Sequence, residues 1–417
     1  MRRFAASLLF SATLLAASGY GATFLLSGYY RVRGGGDLDT GATLGAAMLG
    51  TFVGVPLVGW FSARLDAARM SALACCAIAA GFEWLAGTPG LARGVSLAAG
   101  LLIGLGWGMF YLGAPLALSE RIADHERARW FSHFGAFQMA GIGGSPVALQ
   151  FAVQQAGLPV DFAFRLVGAG CLLAAAALWR FGLHAPHAPR SRAVRAWLRP
   201  LAVIARGAAL RPILMAGCGA CVFSGLLTFQ SSLVAGTAAP AAVFYAVNAC
   251  TVVAARLLLG RVLASLPPRP LAAGLLVAMA LGVAAMFAVA VHPVFQIVSA
   301  MLVGVGYGLV YSLIQTRAVN DAPAAFRHAA LTWFVLSYFV GVFGFPVLGA
   351  WLLVHCGRGA LLGVLLLAAL LELSILLAGA RGDGAPHASR AARRRHAAGR
   401  IASALPAGAT PDERARG

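Results

Sequence analysis

Few side chains in this sequence are equipped for chemistry, and most of those lie inside long apolar runs. Glu83 and Glu372 are carboxylates in such runs, Glu372 among leucines. Tyr20, Thr23, Gln138, Thr228, Gln230, Asn248 and Gln315 bring phenol, hydroxyl and amide groups into similar surroundings. Two aromatic pairs with polar tips, Trp107 with Tyr111 and Tyr307 with Tyr311, are spaced i, i+4, which puts each pair on one stripe of a helix. A polar group in an apolar medium costs free energy unless it is paired. These groups therefore mark helix–helix hydrogen bonds or contacts to a ligand. A carboxyl in such a place is also a feasible proton carrier, so Glu83 and Glu372 are candidates for proton coupling. Arg256 is deep in another run, from which it can snorkel to the polar boundary or meet an anion.

Enzymatic chemistry is not indicated. The nine histidines fall mostly in loops and at the ends of apolar runs, and the carboxylates are isolated. No HExxH, GxSxG or phosphate-loop pattern occurs. Cys218-Gly-Ala-Cys221 has CxxC spacing but lacks the βαβ or ribbon setting of a redox or metal motif, so it is assigned to helix packing. No catalytic residue, cofactor or metal is expected.

The elements that must position these residues follow from composition. Of 417 residues, 60% are hydrophobic and 11% charged, against about 25% charged in soluble domains. Such a chain has too little polar surface to face water, whereas lipid accepts apolar faces all round. Apolar segments long enough to cross a bilayer recur at 5–28, 41–62, 70–88, 94–118, 131–153, 162–182, 210–232, 241–264, 271–291, 294–316, 328–354 and 359–380. The expectation is an all-α membrane protein of about twelve transmembrane helices. Its first apolar run, after Met1-Arg2-Arg3-Phe4, continues to Leu26 and is taken as an uncleaved span.

The net charge of +19 comes entirely from arginine on the basic side, since the chain has no lysine. With the N-terminus inside, only Arg31, Arg33, Arg93, Arg165 and Arg358 of the 32 basic residues fall in outer segments. The positive-inside bias therefore explains the charge, with both termini cytoplasmic, and no nucleic-acid partner is needed. The Ala-, Gly- and Arg-rich composition points to a bacterial inner membrane. Residues 183–209 form a polar, Pro- and Arg-rich cytoplasmic linker. Residues 381–417, with Arg393-Arg394-Arg395, form a basic disordered cytoplasmic tail.

An internal repeat divides the chain. LLIGLGWGMFY at 101–111 matches MLVGVGYGLVY at 301–311, and Gly141, Gly144, Pro146 and Val147 match Gly341, Gly344, Pro346 and Val347. Both matches hold at one offset of 200 residues. Weaker echoes pair Thr23-Phe24 with Thr228-Phe229 and Gly59 with Gly260. The chain is thus expected to fold as an N-terminal six-helix bundle (1–182) and a C-terminal one (210–380), related by a pseudo-two-fold axis. This is the duplicated plan of many secondary transporters.

On these features the chain resembles the major facilitator superfamily over roughly residues 5–380. The loop after the second span carries a degenerate form of the family signature Gly-x-x-x-Asp-Arg-x-Gly-x-x-Arg. Gly59, Arg64 and Arg69 match, while Ala63 stands for the Asp and Asp66 for the second Gly. In the family this loop locks the inner gate through charge contacts, so Gly59, Arg64, Asp66 and Arg69 are its gating candidates here. The loop from Ser119 to Arg129 and the Gly-rich fifth span resemble the drug- and metabolite-exporter branch. Departures are Ser145 before Pro146, Leu149-Gln150 where two Gly are usual, and Gly100 where an Arg linked to proton coupling is often found.

The resemblance implies alternating access around a lightly charged chamber near mid-depth, a major facilitator fold, and a non-enzymatic, proton-coupled efflux antiporter acting as a monomer in the lipid bilayer. The substrate-binding candidates are Tyr20, Thr23, Trp107, Tyr111, Gln138, Thr228, Gln230, Asn248, Tyr307 and Tyr311. With so few charges inside, the expected substrate is a small neutral or amphipathic organic molecule. An uptake carrier, or a non-transporting receptor or assembly factor on the same fold, are the alternatives.

Overall fold

A computed structural model describes residues 3–61, 64–88, 92–123, 126–154, 156–184, 201–323 and 326–379. The tail expected at 381–417 and most of the linker expected at 183–209 lie outside the described residues.

The described residues are helical almost throughout. The chain begins with α1 (Arg3–Ala22), a 3-10 turn (Thr23–Leu25) and α2 (Leu26–Val32), which together make one span. α3 (Asp37–Phe61), α4 (Ala67–Gly87), α5 (Arg93–Ser119), α6 (Arg127–Gln154) and α7 (Val160–His184) follow. A short α8 (Leu201–Arg206) lies within the stretch expected to be linker. Next come α9 (Leu210–Thr228), α10 (Gln230–Leu233), α11 (Ala241–Ser265), α12 (Pro268–Met286) and α13 (Val294–Asn320). α14 (Arg327–Phe339), a π-helical turn (Val340–Gly344) and α15 (Phe345–His355) form one continuous length, and α16 (Gly357–Gly379) ends the described chain. Ten of these lengths are long and apolar enough to cross a membrane. α6, of 28 residues, and the apolar stretch Ala241–Arg256 of α11 lie between them. The chain is a multi-pass membrane protein.

Lipid offers no hydrogen bonds, so the backbone must be helical and helices must associate by close packing. Glycine makes that approach possible. A Cβ at Gly100 or Gly104 on α5 would collide with the carbonyls of Thr43 or Ala47 on α3, and one at Gly50 or Gly54 with the α5 backbone. The duplicated segment repeats the device. A Cβ at Gly304 would lie 3.2 Å from the Asn248 carbonyl on α11, and one at Gly306 2.6 Å from the Leu275 carbonyl on α12. Gly106 meets the Ala74 carbonyl on α4 in the same way. Gly100, Gly104, Gly106, Gly304 and Gly306 are therefore packing surfaces. Pro56, Pro115 and Pro146 sit inside α3, α5 and α6 without ending them.

Helices before and after the linker also meet. α3 packs against α15 and the π turn, with Gly41 under the Pro346 carbonyl and Ala350, and α6 packs against α11. At the end of the bundle where α3 begins, the far end, the Asp37 carboxylate accepts from Ser27 (2.6 Å) and from Ser232 of α10 (2.8 Å). Arg31 donates to the same Ser232 hydroxyl (2.6 Å). Arg33 pairs with Asp161 at 2.6 Å nearby.

Replacing Gly104 by Leu forces α5 off α3. The expected loss is about 3 kcal/mol, as for an overpacked core, read as a lower unfolding midpoint of the purified protein. Gly28→Ala, where a Cβ meets nothing within 4 Å, is expected to be neutral or stabilising by up to about 1 kcal/mol.

Candidate functional site

Tyrosines converge in the interior from both parts of the chain. The Tyr20 ring, on α1, stacks on Trp107 of α5 with centroids 5.0 Å apart and planes at 3°. Trp107 packs edge-on against Tyr111, one turn along α5. Tyr111 and Tyr311, at the repeated positions of α5 and α13, hydrogen-bond through their hydroxyls. Tyr338 of α14 stacks on Tyr111 (5.6 Å), meets Tyr311 edge-on (5.3 Å), and lies 3.5 Å from the Tyr20 hydroxyl. Tyr307 stacks on Phe223 of α9 at 4.6 Å, and Phe24 meets the other part of the chain through the same Phe223. Aromatic pairs of this geometry each add roughly 1 kcal/mol beyond the area they bury.

Local backbone irregularities aim these rings. α1 tightens into a 3-10 turn at Thr23–Leu25, and α9 breaks at Phe229, so the two Thr-Phe echoes mark equivalent breaks. Tyr245 of α11 serves both: its hydroxyl donates to the Leu227 carbonyl at 2.6 Å and lies 3.4 Å from the Phe24 carbonyl. The π turn at 340–344 leaves the Val342 carbonyl to accept from Ser224 (2.6 Å), and it carries Phe343 edge-on to Tyr20. Such turns interrupt helices most often at functional sites.

Of the ten binding candidates, Tyr20, Trp107, Tyr111, Tyr307 and Tyr311 come together. Thr23 is occupied by the Tyr20 carbonyl (2.7 Å), and Asn248 donates to the Ala300 carbonyl of α13 (3.1 Å). Thr228 lies 3.5 Å from the Ser224 hydroxyl, and Gln138 is buried on α6. Gln230 is fully buried and its amide has no hydrogen-bond partner, as is true of the Trp107 indole N–H. Tyr338, Phe223, Phe343 and Tyr245 were not singled out from the sequence. A phenol in an apolar span, the signal that picked Tyr20, also marks Tyr245 and Tyr338.

The carboxylates stand outside this cluster. Glu83 of α4 lies against Gly168 of α7. Glu372 of α16 is 1% exposed and packs on Gly219 of α9, one turn before Phe223. Arg256 does not run to the boundary. Its Nε and Nη2 donate to the Gly308 carbonyl near the middle of α13, at 3.2 and 2.8 Å. Where a chamber is expected at mid-depth, the described aromatic rings pack on one another. A hollow of about 540 Å³ is a groove between α6 and α11 lined by Met139, Gly144, Ala249, Val253 and their neighbours.

A family model of the Major Facilitator Superfamily matches residues 8–346. The chain belongs to the major facilitator superfamily. Solved structures of similar fold include the POT family transporter PepTSo (14% identity, 92% of this chain and 98% of that one, TM-score 0.70). A mutant of the nucleoside transporter NupG (15%, 90% and 99%, 0.67) and an auto-inhibited POT family peptide transporter (17%, 91% and 96%, 0.66) are also similar. At these identities the likeness concerns the fold. Among curated proteins, no sequence matches the chain.

In this major facilitator protein the signature loop is built around its displaced acid. Asp66 accepts from the Arg121 guanidinium at 2.8 Å, the two side chains being 8% and 1% exposed, and its other oxygen faces Gly182. Arg121 also caps the Phe181 ring at 5.0 Å, and Arg69 lies over Trp179 at 5.2 Å. Arg64 is exposed on the turn after α3, Gly59 is in the last turn of α3, and Ala63 lies outside the described residues. Asp66 thus ties the α3–α4 turn to the end of α5. Among the described residues its partners, Arg121 and Gly182, both precede the 183–209 stretch. Asp66→Asn removes the buried carboxylate 2.8 Å from Arg121 and leaves only the more exposed Glu120, at 3.5 Å, among the carboxylates described beside it. A loss of about 3 kcal/mol is expected, seen as a lowered unfolding midpoint; an unchanged midpoint would show that the pair is not buried as described.

Proposed function

We propose that the chain is a secondary transporter that moves a small neutral or amphipathic organic molecule by alternating access. In this reading two six-helix bundles, 1–182 and 210–380, rock about a pseudo-two-fold axis, with 183–209 as the connecting strap and twelve spans in all. The observation that carries it is the contact of Tyr111 with Tyr311. Residues at equivalent positions of a duplication touch each other where a pseudo-two-fold axis would run between them. Such an axis is where a rocking-bundle carrier holds its substrate.

The chemistry around that contact supports the substrate class. Phenols and the Trp107 indole N–H offer hydrogen bonds, and the aromatic faces offer stacking. Among the described residues Arg256 is the one cation in reach of the Tyr111, Tyr311 and Tyr307 phenols. Parting of the rings, with the far-end Asp37–Ser232 tie intact, would open the cluster toward the other end. The arginine distribution makes that other end, and both termini, cytoplasmic in a bacterial inner membrane. Export driven by the proton gradient fits the resemblance to the exporter branch. Glu372, which packs on Gly219 one turn before Phe223 on α9, is then the preferred proton carrier, with Glu83 second. The protein acts as a monomer and needs no cofactor.

Proteoliposomes holding the full chain test this with a panel of labelled aromatic amides and weakly amphipathic drugs in counterflow. Trp107→Ala is expected to cut the counterflow rate about 5- to 10-fold by removing the Tyr20 stack, worth roughly 1 kcal/mol. Glu372→Gln is expected to keep counterflow but to lose accumulation driven by an imposed pH gradient. Unchanged behaviour of both variants would refute the assigned site. Absence of flux for every solute would favour a non-transporting role.

A further inference from the structure

Arg256 is the sixteenth residue of the 25-residue α11, about 14 Å along the helix from Ser265 at 1.5 Å per residue. Its guanidinium bonds the Gly308 carbonyl, likewise near the middle of α13. A charge at that depth is expensive and is normally matched by an acid. Among the described residues no carboxylate pairs with Arg256, and the guanidinium makes hydrogen bonds to the Gly308 carbonyl alone. The third nitrogen, Nη1, faces α6 at Gly135, where a Cβ would lie 3.6 Å from it.

Gly135 is one turn along α6 from Met139, and Arg256 is one turn along α11 from Val253. Met139 and Val253 both line the groove of about 540 Å³ described above. Its other walls are Ala140, Gly144, Ala249, Cys250, Ala254 and Leu258, so the cation stands at the edge of an otherwise apolar hollow large enough for a drug-sized molecule. The Tyr111–Tyr311 hydroxyl pair is within electrostatic reach of Arg256.

We infer that the transported molecule is an amphipathic organic monoanion. Its carboxylate meets Arg256 Nη1 and its apolar body lies in the groove between α6 and α11. This rests on the transporter reading and adds the charge of the substrate to it. A phospholipid would present the same pairing of anion and apolar chain. The depth of the guanidinium, about half-way through the helices, is too great for a headgroup phosphate and suits a free carboxylate.

The probes are 4-phenylbutyrate and 4-phenylbutyramide, equal in shape and different in charge. Equilibrium binding is measured on the full chain in phosphatidylcholine nanodiscs, at neutral pH. The carboxylate is expected to bind at least tenfold more tightly than the amide. Arg256→Gln is expected to erase that difference while leaving the amide affinity within about twofold, and Arg256→Lys to restore part of it. Ala254→Trp, which fills the groove at an exposed position and leaves the cation in place, is expected to weaken both probes about tenfold. Adding 30% phosphatidylglycerol is expected to weaken carboxylate binding no more than twofold.

Equal binding of the two probes to the native protein overturns the inference, as does a carboxylate preference that survives Arg256→Gln. Loss of carboxylate binding in phosphatidylglycerol discs also overturns it, in favour of a bound lipid. In each of these cases counterflow of neutral solutes leaves the transporter reading standing. That reading fails separately, if no solute moves.

Discussion

The Tyr111 and Tyr311 hydroxyls meet where neither lipid nor helix backbone offers them another partner. In water such a contact would add little. Inside a membrane bundle the alternative for each phenol is an unsatisfied polar group, so the pair holds α5 and α13 at one register. The other rings arrange themselves around that register. Trp107 backs Tyr111, Tyr20 covers Trp107, and Tyr338 closes over both tyrosines from α14. The result joins two parts of the chain through stacking and a few hydrogen bonds.

The surrounding helices divide the remaining tasks. Glycine faces hold α5 to α3 and α4, and α13 to α11 and α12, in close backbone contact. The irregular turns at 23–25, 229 and 340–344 lie among the contacts between helices before and after the linker, beside the α3–α15 and α6–α11 packing, and there carbonyls released from helices are met by Tyr245 and Ser224. Stiff packing within each group and interrupted helices between them is what a rocking carrier requires. The buried Asp66–Arg121 pair belongs to the stiff part, which gives the displaced acid of the signature loop a structural role within the first half.

Much of this is legible in the sequence for a simple reason. Bilayer-length apolar runs leave little choice but helices, and a repeat at constant offset pairs the residues that a pseudo-two-fold axis would bring together. Tyr111 and Tyr311 were visible because each lies one turn from another polar-tipped aromatic in the repeated block. Tyr338, Phe223 and Phe343 were not, since a helix that is apolar on every face does not say which face looks inward. Asn248 and Thr23 resembled ligand contacts because a polar group in an apolar span looks the same whether it serves a carbonyl or a substrate. The 3-10 and π turns carry no proline to announce them, whereas Pro56, Pro115 and Pro146 lie in helices that continue. Arg256 stood out by charge alone. Its bond to Gly308 and its place beside the groove needed the packing of three helices.

The central claim is that the tyrosine contact separates and re-forms as the two ends of the bundle open in turn. Spin-label distances measured by double electron–electron resonance test it most directly. One pair of labels replaces the exposed Val32 and Val291 at the far end, and the other the exposed Arg129 and Arg327 at the opposite end, in a background without native cysteines. The account predicts that Tyr111→Ala shifts the two distance distributions in opposite senses, one end narrowing as the other widens. Distributions that stay fixed, or that widen together at both ends, would contradict it.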